Sequence, residues 1–530
     1  VPANRAPSNF LRKPQVQLFI LGVVTLVSRL AFTSPTPVEW DSVQLALGVE
    51  NFDVSIGSPH APGYWIWITL AEGIRMLTWL DAHESLVLLS ALSGAAAVIL
   101  GALVGNRLGG RWLATSVAAV LFASPHMWFY GAIAATYLTD VVVVLGLLLI
   151  ALRARPDSRD SLYAALLLGL GAGLRPTMLL IYGPLCMVTI ARSVRSVNQL
   201  LVAASAGAAV ICAWLVPLVV EQPGGLSTWR ETSSEIFDGA AAGTSIFENW
   251  DGGIANMYHL AAQSLVAMGL IVGLGIIGFV YWLVRVRRLS SNGRWALVAL
   301  VAAIVPPVVF AALIHFAKGG YVLSYMPAVV VAALWAVSLL RGKARLVISV
   351  LVACICLAGV QRFVAGAAVI EPSQVFETTA EKRPNFDRQG LQFFRWSSFG
   401  APYPFTADGI DSIESDLDRY AALDDFAEPG DVVVFSASNG GHRFRNIMFS
   451  NPELETAYIA DNAVIWTASG RETESVSEDT LPVGTGRAIF ALDGVDDDQR
   501  EILDEVVLNS GASVWIGRPG DTVYGVSVTE

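Results

Sequence analysis

Most of the chain shows neither strand-like alternation nor a one-sided helical stripe; its apolar residues come in long, nearly unbroken runs. A hydrocarbon core about 30 Å thick needs roughly 20 apolar residues per helix. Eleven runs read as candidate spans: 15–33, 84–105, 112–128, 137–152, 161–174, 176–191, 197–219, 259–284, 295–314, 321–340 and 344–363. A twelfth apolar run, 63–80, carries Glu72 and Arg75 among Trp65, Trp67 and Trp79. Trp-rich segments with embedded charges lie in the interface plane. Beyond residue 370 the pattern changes. Short β-branched runs (Asp431–Phe435, Arg487–Ala491, Ser513–Ile516) alternate with Gly and Pro, and 497–508 reads as helical. These features predict a small α/β domain over 371–530.

Charge decides the orientation. With 63–80 on the surface, one side of the membrane collects Arg5, Arg12 and Lys13; Arg107 and Arg111; Arg153, Arg155 and Arg159; Arg192 and Arg195; Arg285, Arg287, Arg288 and Arg294; and Arg341, Lys343 and Arg345. Counting 63–80 as a span would scatter them. The positive-inside rule then puts residues 1–14 in the cytoplasm. The membrane body covers 15–363, and the outer face holds a first loop (34–82), a later loop (220–258) and the domain 371–530.

Composition sharpens this picture. Of 530 residues 54% are hydrophobic and 15% charged, and the formal net charge is −11. The segment 371–530 holds 29 acids and 11 bases, net −18, leaving 16 acids and 23 bases, net +7, for the rest. A soluble enzyme would carry more charge. A nucleic-acid binder would gather its cations into a stripe, and here they are spread over short loops. The four cysteines (186, 212, 354, 356) all sit in apolar runs, so the outer domain has no disulfide framework. No small-residue cleavage site follows the first apolar run, which reads as a retained anchor.

Few charges remain at the outer ends of the spans, and they are the candidate chemistry. Pro35-Thr-Pro-Val-Glu39-Trp40-Asp41-Ser42 places two carboxylates just past the first run. A carboxylate there can take a proton from an attacking hydroxyl. Ser58-Pro59-His60-Ala61-Pro62-Gly63-Tyr64 forms a stiff turn into the Trp-rich helix. Asp140 opens a span, Arg175 precedes Pro176 at a span junction, and His315, Lys318 and Tyr321 cluster at the start of the tenth run. The six histidines have no metal-ligand spacing. Gly169-x-Gly-x-Gly173 lies inside a span, where it reads as close helix packing rather than nucleotide binding.

Together these motifs resemble the GT-C superfamily of integral membrane glycosyltransferases, in particular the branch holding protein O-mannosyltransferases and aminoarabinose transferases. There an acidic residue in the first outer loop precedes a His-Pro-Pro-Gly-Tyr-type motif that opens a juxtamembrane helix. Glu39-Trp40-Asp41-Ser42 and His60-Ala61-Pro62-Gly63-Tyr64 match that order. Leu138-Thr139-Asp140, Gly169–Thr177 and Tyr321-Val-Leu-Ser-Tyr-Met-Pro327 are similar to later family segments, so the likeness runs over about 15–340. Two departures stand out. Ala61 replaces the first proline of His-Pro-Pro, and the loop Tyr130–Tyr137 lacks the acid several relatives carry there.

The resemblance implies a GT-C-like α-helical polytopic membrane protein with a C-terminal extracytoplasmic domain; the absence of Asn-x-Ser/Thr sequons and of outer cysteines favours a prokaryotic plasma membrane. It implies a polyprenyl-phosphate-sugar donor, inverting displacement, and a protein, glycolipid or polysaccharide acceptor. Asp41 would be the base, with Glu39 its alternative or an orienting neighbour. His60, Tyr64, Asp140, Arg175, His315, Lys318 and Tyr321 would bind substrate, the cations facing the lipid phosphate. No metal or other cofactor is implied. A flippase for a lipid-linked saccharide would need mid-span charge pairs and inverted repeats, and neither is visible. A non-catalytic envelope scaffold is the remaining alternative.

Overall fold

The apolar runs fold as helices because a backbone in lipid must satisfy its own hydrogen bonds. A computed structural model describes residues 14–365 with short gaps (35, 38–39, 270, 272, 276–289, 316–317 and 339–342), and stretches of 407–529. The described helices are α1 (Pro14–Leu30), α2 (Trp40–Glu50), α3 (Trp65–Leu77), α4 (Ala82–Ala123), α5 (Pro125–Ala132), α6 (Tyr137–Arg153), α7 (Asp160–Leu174), α8 (Thr177–Ser193), α9 (Val197–Glu221), α10 (Gly225–Thr244), α11 (Trp250–Met268), α12 (Ser291–Leu313), α13 (Met326–Ser338) and α14 (Lys343–Ala365). Among the described residues α4, α9, α12 and 345–365 are individually long and apolar enough to cross a membrane, and four further apolar helices are shorter.

Local chemistry sets the boundaries. Asp81 caps α4 in a capping box with Glu84. Gly109 and Gly110 then break it where the sequence places a loop, Gly110 at φ +76°. The run 112–128 stops at Ser124, and Pro125 starts the short, wholly buried α5. The run 259–284 begins within α11 and bends at Gly269; positions 276–284 lie outside the described residues. The run 321–340 starts later as a helix. Residues Gly319–Ser324 form a 3-10 turn, and α13 follows from Met326.

α3 has 13 residues and is about 20 Å long, short of the hydrocarbon thickness. Trp67, Ile68 and Ala71 are buried against α2 and α4, while Leu70, Met76 and Leu77 face outward. Close helix approach needs small residues, and α7 supplies them. A methyl group at Gly169 would lie 3.1 Å from the Gly207 carbonyl of α9, and one at Gly173 would lie 2.5 Å from Ile66 of α3.

In the C-terminal region a seven-stranded sheet runs β4-β3-β2-β1-β6-β8-β7, built from β1 (Val432–Ser436), β2 (Glu455–Ala460), β3 (Ala463–Ala468), β4 (Arg471–Glu478), β6 (Ala488–Phe490), β7 (Asp504–Val507) and β8 (Ser513–Gly517). Three short strands, β5 (Thr480–Pro482), β9 (Thr522–Val523) and β10 (Val526–Thr529), form a second sheet. β1 is central and parallel to β2 and β6, which suits its continuous apolar run, buried from Val432 to Phe435. The expected helix at 497–508 is corrected. Only Asp497–Arg500 is helical, and Asp504–Val507 pairs antiparallel with β8, opposing Val506 to Val514. A cross-strand partner outweighs a weak local helical pattern.

Asp431 ties this sheet together at the start of β1. Its carboxylate accepts backbone N–H bonds from Arg487 (2.8 Å) and Glu428 (2.9 Å) and pairs with the Arg487 guanidinium at 2.6 Å. Burial pushes the carboxyl up, but Arg487 and the two amides outweigh it and hold it below its ordinary 3.8. Asp431→Ala should therefore destabilise the β1–β6 pairing by about 2 kcal/mol, seen as faster amide exchange in both strands. This difference should be full above the ordinary carboxylate value and shrink as pH falls through the lower folded value.

Candidate active site

Asp41 stands in the first turn of α2. The helix is held in place by Ser42, whose hydroxyl donates to the Ala134 carbonyl at 2.7 Å. The Asp41 carboxylate meets the Lys318 ammonium at 2.8 Å, with both side chains mostly buried. Burial raises the Asp41 carboxyl, but Lys318 foremost, then His60 and Arg175, override it and hold the carboxyl down at about 2. Four groups from four separate parts of the chain thus share one electrostatic neighbourhood.

The turn carrying His60 is fastened from two sides. Asp53 accepts from Ser55 N (3.0 Å), and the Ser58 hydroxyl donates to the Asn51 carbonyl (2.6 Å). From the later outer loop, Gln222 donates to Asp53 Oδ1 (2.8 Å) and accepts from Val54 N (2.8 Å). Trp229 Nε1 donates to the Pro62 carbonyl at 3.0 Å. Tyr64 leads into α3 at φ +48°, an uncommon conformation for a bulky residue. Its hydroxyl lies 3.0 Å from His60 Nε2. Burial pushes the Tyr64 phenol up, and the Asp41 charge adds to this against the pull of Arg175, so the group stays protonated.

Behind this pair lies a second ion pair. Asp140, fully buried near the start of α6, binds the Arg175 guanidinium. Arg175 is extended (φ −150°, ψ 109°) between α7 and α8, as the residue before a proline prefers. Its guanidinium lies 4.9 Å from the Tyr137 ring and 5.0 Å from the Tyr321 ring. Tyr182 closes the arrangement by donating to the Ser324 carbonyl at 2.9 Å. The His315 ring stands edge-on to Tyr321 with centroids 5.3 Å apart. A narrow cleft runs from Arg175 and Tyr321 to Pro307 and Phe310 of α12.

The structure thus brings Asp41, His60, Tyr64, Asp140, Arg175, His315, Lys318 and Tyr321 to one place. Glu39, the alternative base, lies outside the described residues. Two expectations change. Arg175 and Lys318 read in the sequence as outward cations awaiting a phosphate, yet each already holds a carboxylate. Tyr137 and Tyr182 were not singled out. Tyr137 had a signal: it sits three residues before Asp140, on the same helix face. Among the described residues no three His, Cys, Asp or Glu side chains converge as metal ligands.

No protein-family model matches the sequence, and no curated protein matches it. The fold does have solved counterparts. One is the crystal structure of ArnT from Cupriavidus metallidurans bound to undecaprenyl phosphate, with TM-score 0.56 and 16% identity over 95% of this chain and 97% of that one. The apo structure of the same protein gives 0.55 and 14%, over 95% and 98%. The likeness is one of fold along nearly the whole of both chains. It bears out the expected body of apolar helices, with a fold like that of ArnT, and a β-containing C-terminal region.

Asp140→Asn should leave the Arg175 charge buried without its counter-ion, a loss of about 3–5 kcal/mol. Thermal unfolding in detergent should show a marked fall in Tm. The double variant Asp140→Asn, Arg175→Met should recover most of it; equal Tm values for single and double variants would refute the coupling.

Proposed function

We propose that this chain is a membrane glycosyltransferase that moves a sugar from a polyprenyl-phosphate donor to an acceptor hydroxyl, with inversion. The observation that carries the reading is the Asp41–Lys318 contact: a carboxylate base and a cation for a lipid phosphate meet at 2.8 Å, beside a fixed arginine. A fold like that of a protein crystallised with undecaprenyl phosphate supports it. On this reading the body 15–363 and the domain 371–530 divide the chain, and the loop charges support a reaction outside the cytoplasm.

The geometry supports the following chemistry. The acceptor oxygen attacks the anomeric carbon as the bond from that carbon to the phosphate oxygen breaks. The electron pair leaves with the polyprenyl phosphate, and the acceptor proton passes to Asp41. Negative charge grows on the phosphate, where Lys318 and Arg175 oppose it. Arg175 is held in position by Asp140 and the rings of Tyr137 and Tyr321. Lys318 has the second task. Without donor it pairs with Asp41 and keeps the base weak. An arriving phosphate competes for the ammonium, and the carboxylate it releases becomes more basic. His60 and Tyr64, bonded to each other at the mouth of α3, orient the sugar.

Asp41→Asn should lower turnover about a thousandfold in proteoliposomes supplied with a polyprenyl-phosphate sugar, while undecaprenyl phosphate still binds. Turnover equal to that of the parent protein would sink the assignment.

A pH profile tests the exchange of partners. The acid limb of kcat/KM, which reports the free protein, should lie lower than that of kcat, which reports the donor complex. In Lys318→Met the burial of Asp41 goes unopposed by the ammonium, so the limb of kcat/KM should move up by at least about one pH unit. Coincident limbs that Lys318→Met leaves in place would rule the exchange out.

A further inference from the structure

α6 and α7 carry the Asp41 neighbourhood at one end and a different feature at the other. Asp140 opens α6 and Arg153 closes it; Asp160 opens α7 and Arg175 follows its end. At 17 residues α6 separates the two ends by about 25 Å. The far end holds an open cleft of about 550 Å³ lined by Arg107, Leu149, Arg153, Arg155, Asp160 and Tyr163. We propose that this cleft binds the phosphate headgroup of an anionic phospholipid in the leaflet opposite the Asp41 site. The inference does not rest on the proposed transfer reaction.

Charge carries the first part of the argument. Three guanidinium groups face one carboxylate. Both oxygens of Asp160 are engaged, one by Arg153 Nε at 2.9 Å and the other by the Ser158 hydroxyl at 2.6 Å. Among the described residues no carboxylate lies within ion-pair distance of Arg107 or Arg155. Arg192, held at Asn292 (2.8 Å), lies near enough to Arg107 for their like charges to repel. A basic pocket between membrane helices with unbalanced cations suits a phosphodiester headgroup, and arginine forks can bind its oxygens in pairs.

Shape carries the second part. Leu149 lies one helical turn inward from Arg153, on the same face of α6. Tyr163 is 44% exposed, and the Arg153 guanidinium sits 5.3 Å from its ring centroid. The lining is thus charged toward water and apolar toward the hydrocarbon. A soluble anion needs no apolar wall; a phospholipid, whose acyl chains continue from its phosphate, does.

Native mass spectrometry of the full chain, released from nanodiscs of phosphatidylcholine mixed with an equal part of phosphatidylglycerol, would test this. The parent protein should retain phosphatidylglycerol over phosphatidylcholine. Arg107→Ala with Arg155→Ala should lose that preference about tenfold. Arg107→Lys with Arg155→Lys should keep most of it, which separates lost charge from misfolding, and Arg195→Ala, outside the cleft, should keep it fully. No headgroup preference in the parent, or an equal loss in Arg195→Ala, would overturn the proposal. So would displacement of the lipid by inorganic phosphate as readily as by added phosphatidylglycerol, since the cleft would then belong to a soluble anion.

Discussion

A charge taken out of water must find a counter-charge or be expelled, and the pairing of Asp140 with Arg175 meets that demand at the centre of this molecule. Asp140 belongs to α6, and Arg175 to the junction of α7 and α8. The rings beside the guanidinium come from α6 and from the 3-10 turn before α13. Tyr182 of α8 bonds that same turn at Ser324. One ion pair therefore fixes three helices and the turn next to Lys318. Neither partner can be removed alone without stranding the other. The pair is thus weak as a source of stability and strong as a fixer of geometry.

Asp41 depends on this frame indirectly. It sits on a short helix, α2, whose apolar side (Leu45, Ala46 and Val49) is buried against α3 and α4. Two polar contacts then fix the carboxylate: neighbouring Ser42 donates to the Ala134 carbonyl on the loop before α6, and Asp41 itself meets Lys318 at the start of the turn that packs against Tyr137. Gly320 makes that packing possible, since a methyl group there would lie 2.4 Å from the Tyr137 ring. The His60 turn is secured separately by Gln222 and Trp229, from a part of the chain far along in sequence. The site is thus a meeting of helix starts and turns, tied to one another by side-chain to backbone hydrogen bonds.

Much of this was legible in the sequence because the membrane makes the signals strong. Apolar runs, loop cations and the stranded outer charges each follow from the expense of placing a charge in hydrocarbon. That reasoning singled out Asp41, Asp140, Arg175 and Lys318 without any contact being visible. It did not show who pairs with whom. Asp140 and Arg175 are 35 residues apart, and nothing local in either stretch encodes the other. The same limit applies to 497–508, where a weak helical pattern gave way to a strand once β8 lay alongside. The Gln222 latch was equally hidden, because a glutamine at a helix end reads as ordinary surface.

The two cations at the site differ in a way that bears on mechanism. Arg175 is 6% exposed and bound to a carboxylate with no exposure at all, between two aromatic rings. Releasing it would strand Asp140, so it can only add a second partner, not change the first. Lys318 and Asp41 are less buried, at 15% and 22%, and either can be resolvated when the contact opens. A lysine ammonium is also a compact point charge that turns between acceptors, where a forked guanidinium holds one geometry. The geometry therefore assigns fixed charge to the arginine and exchangeable charge to the lysine. On the proposed reading a phosphate is the competitor for that lysine, so binding the donor and freeing the base are one event. An empty site keeps its carboxylate occupied and too weak to act on water.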